Sequence, residues 1–279
     1  MPFIKRKGQP TLHYEVDDHT DAWREAPVLI LQHGYGRSAQ FWTRWVPYLS
    51  RYYRVIRPNL RGLGNSPLEF DPYKEITTEN FISDLLAVIA EVSNGPVHYC
   101  GESLGGILGI VLSAEHPEKV RTLSLVATPL SIPEATKKAF SCGTASWQDA
   151  LRKLGSQGWA AQVNSSTRFA EGTDPALIKW YEDEMGKSNV DVLIALSELA
   201  CKINVAPYLT RIKTPTLGLY ASGGLITGPE ESVIRKSIAG IKYVSFPTKF
   251  HSIQFSESAA CATHVLHFAA QHDGIPCRE

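Results

Sequence analysis

Short apolar runs recur along the chain, separated by longer stretches in which apolar residues return every three or four positions. PVLILQHG (27–34), RVIRPNL (54–60), PVHYCG (96–101), VRTLSLVA (120–127), TPTLGLYA (214–221) and IKYVSFP (241–247) read as strands of a sheet covered on both faces. TLHYEV (11–16) alternates apolar and polar positions, as an early antiparallel strand does. Helix spacing appears in FISDLLAVIAEV (81–92), GGILGIVLSAEH (105–116), EESVIRKSIA (230–239) and ACATHVLHFAAQH (260–272). This alternation predicts an α/β architecture with a mostly parallel central sheet flanked by helices.

One interval breaks the rhythm. Between the strand ending near Ala127 and the strand starting at Thr214, about eighty residues show no strand pattern. The block reads as an inserted helical lid, in which Asp174 and Pro175 cap a helix that carries Leu177, Trp180, Tyr181 and Met185 on one side. The expected organisation is a core of residues 1–129 and 211–279 with a lid of residues 130–210, forming one compact unit.

Composition narrows the partners. The chain has 279 residues, of which 43% are hydrophobic and 20% charged, enough to bury a sizeable core. Lys plus Arg and Asp plus Glu both number 28, so there is no net field to hold nucleic acid or an anionic membrane. A small-molecule substrate is expected instead. The N-terminal stretch lacks the apolar segment of a secretory signal and no run is long enough to span a bilayer, which predicts a cytoplasmic location. The cysteines Cys100, Cys142, Cys201, Cys261 and Cys277 are scattered and odd in number, so neither a disulfide framework nor a zinc site is expected. No metal or phosphate motif occurs, and no cofactor is implied. The oligomeric state stays open, a homodimer included.

The strongest chemical signal is Gly101-Glu102-Ser103-Leu104-Gly105-Gly106, placed between a strand and an apolar helix. In that context G-x-S-x-G is a nucleophile elbow. The flanking glycines relieve crowding at a sharp turn and Ser103 is exposed above the sheet. The Leu104 amide, at the helix N-terminus, can donate to an oxyanion, and the turn Gln32-His33-Gly34-Tyr35-Gly36 would bring the Tyr35 amide opposite it. His33 itself is expected to hold the turn in shape. Of nine histidines, only His251 in FPTKFHSIQF combines a loop after the last strand with the order nucleophile then base. His98, His116, His264, His267 and His272 read as structural.

These features resemble the α/β-hydrolase-fold superfamily, in particular the esterases, lactonases and carbon–carbon hydrolases with an inserted cap. The resemblance runs through His33-Gly34, PNLRGLGNS (58–66), the Ser103 elbow, HPEKV (116–120) and FHSIQF. It implies a serine hydrolase that cleaves an ester or lactone of a small, largely apolar or aromatic substrate. Hydrolysis of a carbon–carbon or amide bond, and a weakened ligand-binding homologue, are the alternatives. Asn59 departs from the Asp that relatives often carry there, an effect expected to stay within the loop.

The larger departure concerns the third member of the triad. Family register places it on the segment Ala221–Gly228, where Gly224 stands in the acid's position, and the other family station reads Ala127-Thr128-Pro129. Glu102 precedes the nucleophile and is expected to point away from the imidazole, Glu230 and Glu231 are explained by a helix start, and Asp84 by a structural contact. His251 is therefore expected to face the 221–225 loop across a space filled by water, a backbone carbonyl or the Ser222 hydroxyl. Trp42, Trp147, Trp159, Trp180 and Tyr181 are candidates to line the pocket. Trp45 is a further aromatic beside Trp42, while Arg152, Lys153 and Arg168 read as solvated helix-surface charges.

Overall fold

The computed structural model describes residues 2–164, 168–224, 226 and 228–274. Eight strands, β1 (Phe3–Ile4), β2 (Leu12–Asp17), β3 (Val28–Gln32), β4 (Arg54–Pro58), β5 (Val97–Glu102), β6 (Val120–Val126), β7 (Thr216–Ala221) and β8 (Lys242–Phe246), form one sheet in the order β1-β2-β4-β3-β5-β6-β7-β8. The pairs β1–β2 and β2–β4 are antiparallel, and from β4 to β8 every pair is parallel. Parallel neighbours require crossovers, and helices supply them. β5, which carries the elbow at its end, lies between β3 and β6 at the centre of the sheet.

Alternation along each strand divides the core in two. Ile30, Tyr99 and Leu123 face the helices Thr78–Val92 and Leu104–Glu115, whereas Leu29, Leu31, Cys100, Leu217 and Leu219 pack with the C-terminal helix Ser258–Asp273 on the opposite side. The helix Leu104–Glu115 is apolar almost all round and buried along nearly its whole length. Gly109 makes room for Tyr99: a Cβ there would lie 2.5 Å from the tyrosine ring. Asp84 is a structural anchor, bound by Arg61 at 2.7 and 2.8 Å and by Arg6.

Between β6 and β7 the described residues form four α-helices, Glu134–Phe140, Trp147–Val163, Pro175–Gly186 and Val190–Lys202, followed by a short 3-10 helix, Ala206–Arg211. The two ends of this insertion meet at its base, where Ser131 bridges Asn204 and the Val205 amide donates to Leu130 O at 2.9 Å. Trp147–Val163 is broken at Gly155, whose φ of 65° no helical residue adopts. Among the described residues no helix is long and apolar enough to cross a membrane. Cys100, Cys142, Cys201 and Cys261 are free thiols, and Cys277 lies outside the described residues.

Candidate active site

The elbow is built by close backbone contact. Ser103 has φ 52° and ψ −116°, a conformation that costs an L residue of order 1–3 kcal/mol and persists only where its surroundings enforce it. The enforcement is visible: a Cβ at Gly101 would lie 2.3 Å from Gly105 O, and one at Gly105 would lie 2.3 Å from Gln32 O. The Ser103 amide donates to Val126 O at 3.0 Å, which ties the turn to β6. Leu104 opens the following helix, so its amide has no acceptor within that helix.

The turn after β3 closes against this elbow. His33 Nδ1 pairs with Gly34 O at 2.9 Å while its Nε2 accepts from the Leu60 amide at 3.1 Å, which assigns the ring proton to Nδ1. Burial holds its pKa down to about 4, so the ring is neutral and acts as a brace. Gly34 lies directly on the elbow: a Cβ there would be 2.5 Å from Glu102 Oε2 and 3.1 Å from Ser103 Cβ.

The same contact locates the carboxylate. Glu102 is buried, with Oε2 bound by the Arg37 guanidinium and Oε1 3.5 Å from His251 Nε2. The expectation that Glu102 points away from the imidazole is therefore corrected. The sharp φ reversal at Ser103 separates the two side chains, and the missing side chain at Gly34 leaves space beneath the turn for the carboxylate. His251 does not look to the 221–225 loop for its acidic partner. In that loop the Gly223 amide donates to Thr248 O at 3.0 Å, Ser222 is exposed, and a Cβ at Gly224 would meet Ala221 and the Lys249 carbonyl. Leu225 lies outside the described residues. Glu230 accepts from the Leu130 amide and Glu231 pairs with Arg235 at 3.0 Å, so both are engaged elsewhere.

Ser103 and His251 line one cavity of about 40 Å³, together with Tyr35, Leu104, Trp147 and Arg168. Its wall is apolar, from Ile107, Pro129, Ile132 and Phe140. Trp147 packs on Tyr35 with ring centroids 4.6 Å apart, and the Tyr35 hydroxyl donates to Leu193 O at 2.7 Å, joining the turn to the insertion. The other aromatic candidates are placed differently. Trp42 lies in the core on the opposite face of the sheet, T-shaped against Trp45. Trp159 stacks behind Trp147 and donates to Phe140 O at 2.9 Å. Tyr181 is buried against Phe41, Phe169 and Phe255, and Trp180 lines a neighbouring cavity of about 320 Å³ that shares Arg37. Helix spacing alone could not separate side chains that face the cavity from those that pack the insertion against the core.

Arg168 is the second correction. It is buried rather than solvated, and it belongs to the cavity wall. Burial, then Arg168 and Arg37, push the His251 pKa well below the ordinary imidazole value. Arg37 is not singled out by the sequence, while Glu102 and Arg168 read there as having other roles. The available signal was a charged residue inside otherwise apolar or glycine-rich segments, GYGRS and HYCGES.

A sharp strand-to-helix turn on a central parallel strand, with a histidine loop after the last strand, is the arrangement of the α/β-hydrolase fold. The chain has this fold, and the model of the family described as alpha/beta hydrolase fold matches its residues 27–153. Among curated relatives, the chain is 30% identical over 119 residues to a putative carbamate hydrolase RutD of Agrobacterium fabrum, covering 41% of this chain and 42% of that protein. It is 24% identical over 208 residues to 3-oxoadipate enol-lactonase 2 of Acinetobacter baylyi, covering 73% of each. The chain thus spans under half of the first relative and about three quarters of the second. Among solved structures, the enol-lactonase from Burkholderia xenovorans LB400 superposes with a TM-score of 0.82 at 23% identity, covering 96% of this chain and all of that one, a likeness of fold.

Proposed function

We propose that the protein is a serine hydrolase that cleaves a carboxylic ester or lactone, with Ser103 as nucleophile, His251 as base and Glu102 as the acid. The observation that carries this reading is the strained Ser103 turn sharing a cavity with His251, whose Nε2 lies 3.5 Å from the buried Glu102 carboxylate. The relatives named as lactonase and carbamate hydrolase support the same class.

In the reaction, Ser103 Oγ attacks the acyl carbon and its proton passes to His251. The charge that develops on the carbonyl oxygen meets the amides of Tyr35 and Leu104. Collapse breaks the bond to the leaving oxygen, which takes the proton from His251; in a lactone that oxygen stays on the acyl chain as a hydroxyl. Water, deprotonated by His251, then attacks the acyl carbon; collapse breaks the bond to Ser103 Oγ, which takes the proton back from His251, and the carboxylic acid is released. Glu102 fixes the imidazole tautomer and offsets the imidazolium charge. Its distance of 3.5 Å is longer than a hydrogen bond, as such contacts often are before substrate binds. Residues 130–210 act as a cap that bounds the substrate.

The test is pre-steady-state turnover of p-nitrophenyl acetate combined with labelling by a fluorophosphonate. The reading requires a burst and a single adduct on Ser103, both abolished in Ser103→Ala with the fold intact. A protein that shows neither, or carries its adduct on another residue, is not this enzyme.

A further inference from the structure

Resting on that hydrolase reading, the charges around the cavity specify the substrate further. Arg37 and Arg168 are both buried, and a guanidinium keeps its proton at any ordinary pH. Glu102 is bound by Arg37. Among the described residues no carboxylate forms an ion pair with Arg168, and its Nε is buried without a hydrogen-bond partner. Burial lowers the Arg168 pKa; the Tyr181 hydroxyl, a hydrogen-bond partner, opposes that shift, Arg37 adds to it and Glu102 opposes it. Among the described residues no acidic side chain lines the cavity. With His251 neutral, the enclosed site therefore holds one positive charge in excess, a costly state for a buried group unless an anion joins it.

We infer that Arg168 is a carboxylate-binding residue and that the substrate is a short ester or lactone carrying one free carboxylate. The guanidinium offers a planar fork suited to that group, and the small cavity beside Ser103 limits the length of the chain between the carboxylate and the scissile bond. The arrangement also acts on catalysis. Arg168 opposes protonation of His251, so a neutral ester must form its imidazolium against this charge. A substrate carboxylate on Arg168 screens it, and the anionic substrate gains both in binding and in the proton-transfer step.

The test compares monomethyl succinate with its neutral counterpart dimethyl succinate, in the wild type and in Arg168→Met, with Arg168→Gln as a second variant should the first fail to fold. The wild type should favour the half-ester in kcat/KM by at least tenfold. Arg168→Met should erase that preference by raising KM for the half-ester at least tenfold more than KM for the diester. A variant that loses both activities equally assigns Arg168 to the oxyanion and overturns the inference, as does an unchanged preference. Calorimetric binding of monomethyl succinate to Ser103→Ala protein separates this inference from the hydrolase reading. Binding that disappears when Arg168→Met is added supports the anion site even if Ser103 resists fluorophosphonate. Equal binding in both proteins, or none in either, removes the anion site whatever the fate of the hydrolase reading.

Discussion

At the level of single residues, His251 is the group whose surroundings decide the chemistry. Glu102 Oε1 faces its Nε2, while Arg168 and Arg37 oppose a positive charge on the ring. Burial is the largest influence and sets the direction, with the pKa well below the ordinary 6.5. A general base works in its neutral form, so lowering the pKa extends the active form toward acid. The acid limb of kcat/KM on a neutral activated ester should accordingly have its midpoint below pH 6.5. Removing one of the opposing charges in Arg168→Met should move that midpoint upward. A limb at or above 6.5 in the wild type would show that the Glu102 carboxylate outweighs burial in the free enzyme.

At the level of elements, the turn after β3 and the elbow after β5 form one unit in which glycine is required by contact. Gly34→Ala would place a methyl 2.5 Å from Glu102 Oε2 and 3.0 Å from the Glu102 carbonyl. Overpacking of this kind costs about 1–3 kcal/mol, and relief here requires the carboxylate to move from His251. The variant should fold with a lowered Tm and lose at least tenfold in kcat; an unaltered kcat would mean that the carboxylate's position does not matter. Elements of this kind were legible in sequence because burial on both faces leaves a continuous apolar run, as in β3, β5 and β6, and because an elbow needs small residues at fixed offsets. The pairing of Phe3–Ile4 was not legible, since two residues carry no period. Nor was the helix Trp147–Val163, where Gly155 and Gly158 interrupt the spacing. The site divided along similar lines. Ser103 and His251 are fixed by chain order and loop position, whereas Glu102, Arg37 and Arg168 depend on how the φ reversal at Ser103 and the folded insertion turn their side chains inward.

At the level of the whole molecule, the candidate site draws on five separated parts of the chain: the turn holding Tyr35 and Arg37, the end of β5, the loop after β6, the inserted helices and the loop after β8. A parallel sheet brings the C-terminal ends of β3, β5, β6 and β8 to one edge, and the insertion closes over that edge through contacts such as the Tyr35 hydroxyl on Leu193 O. This convergence allows the proposed acid, Glu102, to come from the strand that carries the proposed nucleophile instead of from the 221–224 turn. The most direct measurement is the rate of the acylation burst with p-nitrophenyl acetate in three proteins: wild type, Glu102→Gln and Gly224→Asp. The amide keeps the shape of Glu102 and a hydrogen bond to Arg37 but removes the charge that supports the imidazolium. Loss of that support in a Ser-His-acid site lowers turnover by as much as about ten-thousandfold. Glu102→Gln, folded by circular dichroism, should acylate at least a hundredfold more slowly, while Gly224→Asp matches the wild type. Acylation by Glu102→Gln within a few-fold of wild type, or a large gain in Gly224→Asp, would contradict the assignment of Glu102 as the acid.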